Sequence, residues 1–324
     1  MSRRFVGSVI LAALLAGVMG APASCEEYPS RPIRLLVSSS AGSLVDVLSR
    51  LLTQELSARL SQTIVVDNRA GAMTQVAMEA LTRAPPDGYT LMIGPSELAM
   101  MPFLKKSYHY AAGKDFAPVA LFASSWTVFA INPKVPAQTL PELVSYAKAH
   151  PGAIHYGSGG VGGALHIAVE MLKLKTGADF VHVPYRGGSQ VATDAVSGQI
   201  EMASMGLAST RIAANGQLRI LAQTGPHRHP MLPDVPTTAE LGLPDVRMET
   251  WFGVIAPPDT PQPIVARLAH EIDIVAHDPA FRDKLFAIGC AVAWMAPAAF
   301  ATYIADETKR WGEVIPAMGI TIEE

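Results

Sequence analysis

Two clusters of hydroxyl and glycine residues carry the chemistry legible in this chain: Ser38-Ser39-Ser40-Ala41-Gly42-Ser43 and, more than a hundred residues later, Gly157-Ser158-Gly159-Gly160-Val161-Gly162-Gly163. Ile33 to Val37 precede the first and the apolar-periodic stretch Leu44 to Leu60 follows it; Ile154 to Tyr156 precede the second and Ala164 to Lys175 follow it. Each reads as strand, tight loop, helix. Such a loop leaves main-chain N–H groups unpaired at the positive end of a helix dipole, and glycine lets a ligand approach the backbone, so each is a candidate anion cradle. Two facing cradles would grip one anionic solute.

Other residues could join them. Arg186 offers a carboxylate a planar fork of donors, or is simply solvated or paired after its strand. Tyr185 lines the cleft or packs on its own half, and His166, in the first turn of its helix, touches ligand or bonds locally. Ser96 and Ser204 follow or end predicted strands, where ligands gather. Asp46 and Asp194, near helix starts, suit backbone amides better than an anion, and Met100-Met101 reads as core.

Enzymatic readings fare worse. Gly157-Ser158-Gly159-Gly160-Val161-Gly162 spells the dinucleotide fingerprint, but the next predicted strand leads to Pro184-Tyr185-Arg186 and lacks the acidic residue that would hold a ribose. Tyr156-Gly157-Ser158-Gly159-Gly160 lacks the first glycine of a nucleophile elbow, and no histidine or acid is placed by spacing to serve Ser158. His227-Arg228-His229, between Pro226 and Pro230, reads as a surface turn, and the histidines otherwise lack ligand spacing. No catalytic residue, metal or cofactor is called for.

The elements that must position these loops alternate. Strands are predicted at Ile33 to Val37, Thr63 to Val66, Thr90 to Ile93, Val119 to Phe122, Trp126 to Ile131, Ile154 to Tyr156, Phe180 to Val183, Glu201 to Ser204, Leu218 to Gln223 and Phe252 to Ala256. Helices are predicted at 44–60, 72–83, 140–148, 164–175, 189–197, 209–214, 262–276, 279–288 and 297–314. This alternation implies α/β layers with parallel or mixed sheets. Ala117 to Ile131 and Arg247 to Pro257 are the two long extended runs able to cross between halves.

Arg3 and Arg4 precede the apolar run Phe5 to Gly20, which ends at Ala21-Pro22-Ala23 ahead of a charged, proline-rich stretch. This is the pattern of a secretory signal peptide, residues 1–23, and the run is too short for a spanning helix of about 18 or more apolar residues. Cys25 raises a lipoprotein alternative against a poor lipobox. Cleavage after Ala23 leaves 301 of 324 residues and takes the formal charge from −3 to −5. That is chain for two domains of about 150 residues each. With 49% hydrophobic and 16% charged residues a large core is available, while the acidic balance argues against nucleic acid or an anionic membrane as partner. Cys25 and Cys290 could pair, though one terminal and one buried thiol is the simpler reading.

Eight segments then occur in a familiar order: Tyr28-Pro29-Ser30-Arg31-Pro32-Ile33, Asp67-Asn68-Arg69-Ala70-Gly71-Ala72, Pro86-Asp87-Gly88-Tyr89-Thr90-Leu91, Asp115-Phe116-Ala117-Pro118-Val119, Tyr156-Gly157-Ser158, His182-Val183-Pro184-Tyr185-Arg186-Gly187, Leu232-Pro233-Asp234-Val235-Pro236-Thr237 and Trp251-Phe252-Gly253-Val254-Ile255-Ala256-Pro257. Over essentially the whole mature chain this resembles the Bug-type extracytoplasmic solute receptors of tripartite tricarboxylate transporters. The resemblance implies a type II periplasmic-binding-protein fold, two α/β lobes joined by two crossing segments with a ligand cleft between them. Lobe 1 is expected at 26–124 plus 249–324 and lobe 2 at 125–248. It implies a periplasmic monomer that takes a small organic carboxylate between the loops Ser39 to Asp46 and Ser158 to His166 and delivers it to membrane permease subunits; a receptor that reports to a signalling protein is the alternative. Leu44 and Gly163 stand where the family commonly has serine. A carboxylate with an apolar body is therefore expected over citrate.

Overall fold

The computed structural model describes residues 28–185 and 188–322. The signal segment 1–23, Cys25 and Arg186 lie outside the described residues. No helix among those described is long and apolar enough to cross a membrane.

The chain opens with β1 (Ile33–Val37), α1 (Leu44–Leu60), β2 (Ile64–Asn68), α2 (Gln75–Thr82), β3 (Thr90–Pro95) and α3 (Glu97–Leu104). The long β4 (Ala117–Ile131) leads into α4 (Leu140–Ala149), β5 (His155–Ser158), α5 (Ala164–Thr176), β6 (Val181–Pro184), α6 (Gly188–Ser197) and β7 (Met202–Gly206). A 3₁₀ segment (Leu207–Gly216) and β8 (Arg219–Gln223) follow, then β9 (Glu249–Ala256), α7 (Gln262–His277), α8 (Pro279–Ala287), β10 (Ala291–Met295) and α9 (Pro297–Met318).

Strand order β2-β1-β3-β9-β4-β7-β5-β6 makes one continuous path, with β8 and β10 also on β4. β4 belongs to two half-sheets. Ala117 to Trp126 pair with β9, whereas Thr127 to Ile131 pair with β7. The pairing directions fix where the loops go. β3 is parallel to β1, β9 antiparallel to β3, and β4 antiparallel to β9, so β4 runs with β1. β7 is antiparallel to β4 and β5 parallel to β7, so β5 runs against β4. The carboxyl end of β1 therefore points along β4 toward the second half-sheet, and that of β5 points back toward the first. The returning chain crosses at the same place, where the Thr224 amide and hydroxyl bond the Thr127 carbonyl at 2.9 and 3.1 Å and the hydroxyl also reaches the Met248 carbonyl at 2.6 Å. This is the two-lobed α/β plan with two crossings expected from the sequence.

Three apolar clusters hold the plan. One, with Leu48, Phe122, Phe252 and Leu268, lies between the first half-sheet and α1 and α7; another, with Val128, Val191 and Met205, lies under α6. The largest spans both halves, running from Met100 and Trp251 through Phe300 and Trp311 to Ile167 and Tyr156. Helix α9 packs on α3, β4 and α5 and so ties the halves together.

Several predicted elements change. The two strands expected at 119–122 and 126–131 are one, because the small residues Ala123-Ser124-Ser125, which read as a break, stay paired with β9. Helix α3 was not expected: five of its eight residues are buried, the rest are mostly apolar and it carries Pro102, so it has neither a polar face nor a helical period to read. Strand β10 was also missed, being a short antiparallel addition to β4. The helix predicted from residue 72 begins at 75, because Ala72, Met73 and Thr74 all take positive φ. The 209–214 helix is a 3₁₀ segment. His227-Arg228-His229 is not wholly a surface turn. His229 is buried, its ring edge-on to Trp126 at 4.8 Å. Cys290 is a buried free thiol.

Candidate functional site

The first loop is braced from within. Ser43 is the N-cap of α1, its Oγ accepting the Asp46 amide at 3.2 Å and lying 2.6 Å from the Ser39 hydroxyl. Asp46, 4% exposed, reaches back to accept the Gly42 amide at 2.9 Å, in the manner of a capping box. Its carboxylate also takes Arg50 Nε and Nη2, each at 3.0 Å, and Asn68 Nδ2 at 3.0 Å. Hydrogen bonding from Arg50, helped by Gly42 and Asn68, pulls its pKa down to about 2 against the cost of burial. Asn68 also donates to the Ser39 carbonyl at 3.0 Å, tying the loop to the end of β2. Gly42 has φ of 81°, which a side chain would strain. Leu44 packs on the core beneath α1.

The second loop rests on an aromatic stack. Ser158 ends β5 fully buried, its Oγ 2.7 Å from His182 Nε2 and accepting the Gly160 amide at 3.3 Å. His166 Nδ1 accepts the Gly162 amide at 3.1 Å, so its proton sits on Nε2, 3.9 Å from Glu170. The His166 and His182 rings lie 4.1 Å apart, with Tyr156 stacked 4.9 Å from His182. The Tyr156 hydroxyl donates to Glu170 at 2.7 Å, and Lys173 pairs with the same carboxylate at 2.9 Å. Burial holds both imidazoles neutral: His166 is pushed below its ordinary 6.5, and His182, beside it, to about 4. Gly160 and Gly162 take φ of 127° and 78°. Any Cβ on Gly162 would strike the Ile322 side chain, and Leu104 is the next neighbour. The second loop thus touches the first half at the end of α3.

Both loops project from strand carboxyl ends toward the junction at Trp126 and Thr127. The amides of Gly42, Ser43, Gly160 and Gly162 are engaged inside their own loops. Those of Ala41, Gly159 and Val161 have no hydrogen bond within the described residues, and Val161 is exposed. The arrangement offers two sets of main-chain donors with fixed geometry.

The remaining candidates separate. Ser204 is fully buried and donates to the Leu165 carbonyl at 2.7 Å, so it steadies the start of α5. Tyr185 packs across Gly157 and donates to Asp194 at 2.8 Å. Asp194 is therefore a partner of that hydroxyl rather than of backbone amides, because it lies in the second turn of α6 rather than at its start. Ser96 is buried at the end of β3, with its hydroxyl unpartnered. His182 was missed as a partner of Ser158. Parallel pairing of β5 with β6 sets Tyr156 beside His182 and Ser158 beside Pro184, a relation that linear spacing does not carry. With its hydroxyl taken up by His182 and the Gly160 amide, Ser158 is placed to shape the loop. Among the described residues no group of three or more His, Cys, Asp or Glu could hold a metal ion.

The profile of the tripartite tricarboxylate transporter family receptor matches residues 48–320, and the chain belongs to this family of solute-binding receptors. It is 32% identical over 312 residues to the protein BugT of Bordetella pertussis, covering 95% of each chain. To a protein from the tcbD-tcbE intergenic region of Pseudomonas sp. strain P51 it is 34% identical over 293 residues, covering 90% of this chain and 87% of that one. Among solved structures, an R. palustris protein with adipate superimposes with a TM-score of 0.81 at 29% identity, over 91% of this chain and 100% of the other. MatC from Rhodopseudomonas palustris with bound malate gives 0.75 at 28% identity, over 89% and 100%. The periplasmic binding protein BugD gives 0.77 at 27% identity, over 91% and 100%. These neighbours carry the type II periplasmic-binding-protein plan derived above.

Proposed function

We propose that this chain is an exported, periplasmic receptor that captures a small organic carboxylate and delivers it, without chemical change, to the membrane permease of a tripartite tricarboxylate transporter. The observation that carries this reading is the convergence of two strand-loop-helix units, one from each half-sheet, on a single junction. The proposed binding residues are Ser39, Ser40, Ala41, Gly42 and Ser43 facing Gly159, Gly160, Val161, Gly162 and Gly163. Ala41, Gly159 and Val161 supply free main-chain donors, and Ser158 and His166 hold the second loop in shape. Residues 26–124 with 249–324, and 125–248, are proposed as the lobes that close on the ligand, with one chain forming the working unit. The solution of relatives with adipate and malate supports a carboxylate as ligand.

A thermal-shift panel of adipate, malate, an aromatic carboxylate and citrate on the mature protein tests the reading. A ligand that binds the folded state alone stabilises it by about 2.7 kcal/mol at a hundredfold excess over Kd. Stabilisation by one or more carboxylates supports the reading. A flat response across the panel contradicts it.

A further inference from the structure

The start of α3 is built unlike an ordinary helix start. Ser96, at its N-cap position, has αR backbone and makes no cap; its hydroxyl is 1% exposed and unpartnered. Glu97 follows, with Oε2 buried and unpartnered, and no salt bridge to it is present among the described residues. Trp251, whose carbonyl accepts the Ser96 amide at 3.1 Å, is fully buried with its indole N–H also unpartnered. Polar groups without partners in the interior are costly, at about 1–3 kcal/mol for each group left unsatisfied. Such a cost is retained where a ligand completes the bonding.

Placement says which ligand. β3 lies next to β1, with Ile93 opposite Val37, so Ser96 and Glu97 follow β3 at the same strand end as the first loop follows β1. At its other end α3 reaches the second loop through Leu104 and Gly162. We infer that Glu97, in its protonated form and set by Ser96, is a specificity-determining hydrogen-bond donor to the carboxylate captured between the loops, so that capture is linked to a proton. This inference rests on the function proposed above. A charged carboxylate there would repel the ligand, whereas a carboxylic acid donates to it. Burial does raise the Glu97 pKa above its ordinary 4.5, tempered by its own main-chain amide and, less, by the neighbouring Ser96. The titratable group facing Glu97 from the 105–116 segment is the Tyr108 hydroxyl, itself held neutral by burial and placed 3.4 Å from Thr74 Oγ1. Lys105, at the far end of α3, is turned to Gln75 at 3.2 Å. On α9, which packs on α3, Glu307 pairs with Arg310 at 2.8 Å and Arg247 at 3.3 Å, burial keeps Tyr303 neutral, and Lys309 is exposed to solvent. Nothing in the cluster therefore supplies a charge that would ionise Glu97.

The test is calorimetric titration of adipate into the wild type, Glu97→Gln and Glu97→Ala from neutral to alkaline pH, where adipate is fully ionised. The wild type is expected to lose affinity as pH rises, by up to about tenfold per unit while one proton accompanies the ligand. Glu97→Gln keeps a donor without titrating, so its affinity is expected to stay nearly constant with pH. Glu97→Ala is expected to bind about tenfold or more weakly at neutral pH. A Gln variant with the wild-type slope, or an Ala variant with wild-type affinity, overturns the inference. Melting without ligand supplies an independent readout. Glu97→Gln is expected to melt above the wild type, by a margin that grows as pH rises above 4.5, and equal melting at every pH overturns the inference too. If the wild type binds no carboxylate, the proposed function fails while the melting comparison still reads the state of Glu97.

Discussion

His182 Nε2 lies 2.7 Å from the hydroxyl of Ser158, and that hydroxyl in turn accepts the Gly160 amide. An imidazole that is half-buried and neutral thus fixes the hydroxyl on which the turn of the second loop depends. A neighbouring imidazole, His166, takes the Gly162 amide one turn further on.

Acid should therefore weaken the fold through this stack. His182 has its pKa depressed to about 4 from an ordinary 6.5, so between these values the unfolded chain binds more protons than the folded one. Stability is expected to fall as pH drops from 6.5 toward 4 and to be insensitive to this group above 6.5. Urea midpoints of the wild type and His182→Gln across that window check this. The difference between the two should narrow toward acid if His182 is the cause; a constant gap would contradict it.

Asp46 carries the same sign of dependence in a more acid window. Its pKa is depressed from 3.8 to about 2, so its contribution is complete above 3.8 and is lost as pH falls through 2. Asp46→Asn is expected to destabilise the protein by about 1–3 kcal/mol, since one charged partner of several hydrogen bonds is removed. Because Arg50 is largely exposed, the lower part of that range is expected. The loss should be visible in denaturant midpoints at neutral pH and should shrink in strong acid.

Gly253 lies in β9 where any Cβ would strike the Phe300 ring, with the Ala120 carbonyl behind it. Gly253→Val should cost about 1–3 kcal/mol or more by overpacking, with no direct effect on the loops. Thermal melting reads the cost, and a melting temperature equal to the wild type would show that α9 yields freely.

On ligand choice, Leu44 is partly buried against the core beneath α1, so Leu44→Ser removes apolar packing as well as adding a hydroxyl. Leu44→Ser with Gly163→Ser is expected to shift relative affinity from an aromatic carboxylate toward citrate, at some loss of stability. Competition binding reads the shift; unchanged ratios would place both positions outside the ligand's reach.

The loops and their flanking elements were legible because their signals are local. Leu44–Leu60 is a full amphipathic helix capped by Ser43, and Gly42, Gly160 and Gly162 occupy turns that need positive φ. What lay hidden was set by tertiary pairing. Helix α3 is apolar at seven of its eight positions, so its sequence shows no period. His182 meets Ser158 only through the register of two parallel strands, and Tyr185 turned out to serve Asp194, a choice that sequence left open. Glu97 gave a faint sign, an acid directly after a strand and inside an apolar run.

The central claim is that both loops grip one carboxylate. Calorimetry with adipate on the mature wild type, Gly42→Val, Gly160→Val and Ser158→Ala measures it most directly. Each glycine variant forces a β-branched side chain onto positive-φ backbone in a loop proposed to hold the ligand. A single 1:1 event that either valine abolishes, while Ser158→Ala weakens it by only about 0.5–1.5 kcal/mol, is the predicted result. Binding that survives both valines in folded protein, or that depends on one loop alone, would contradict the account.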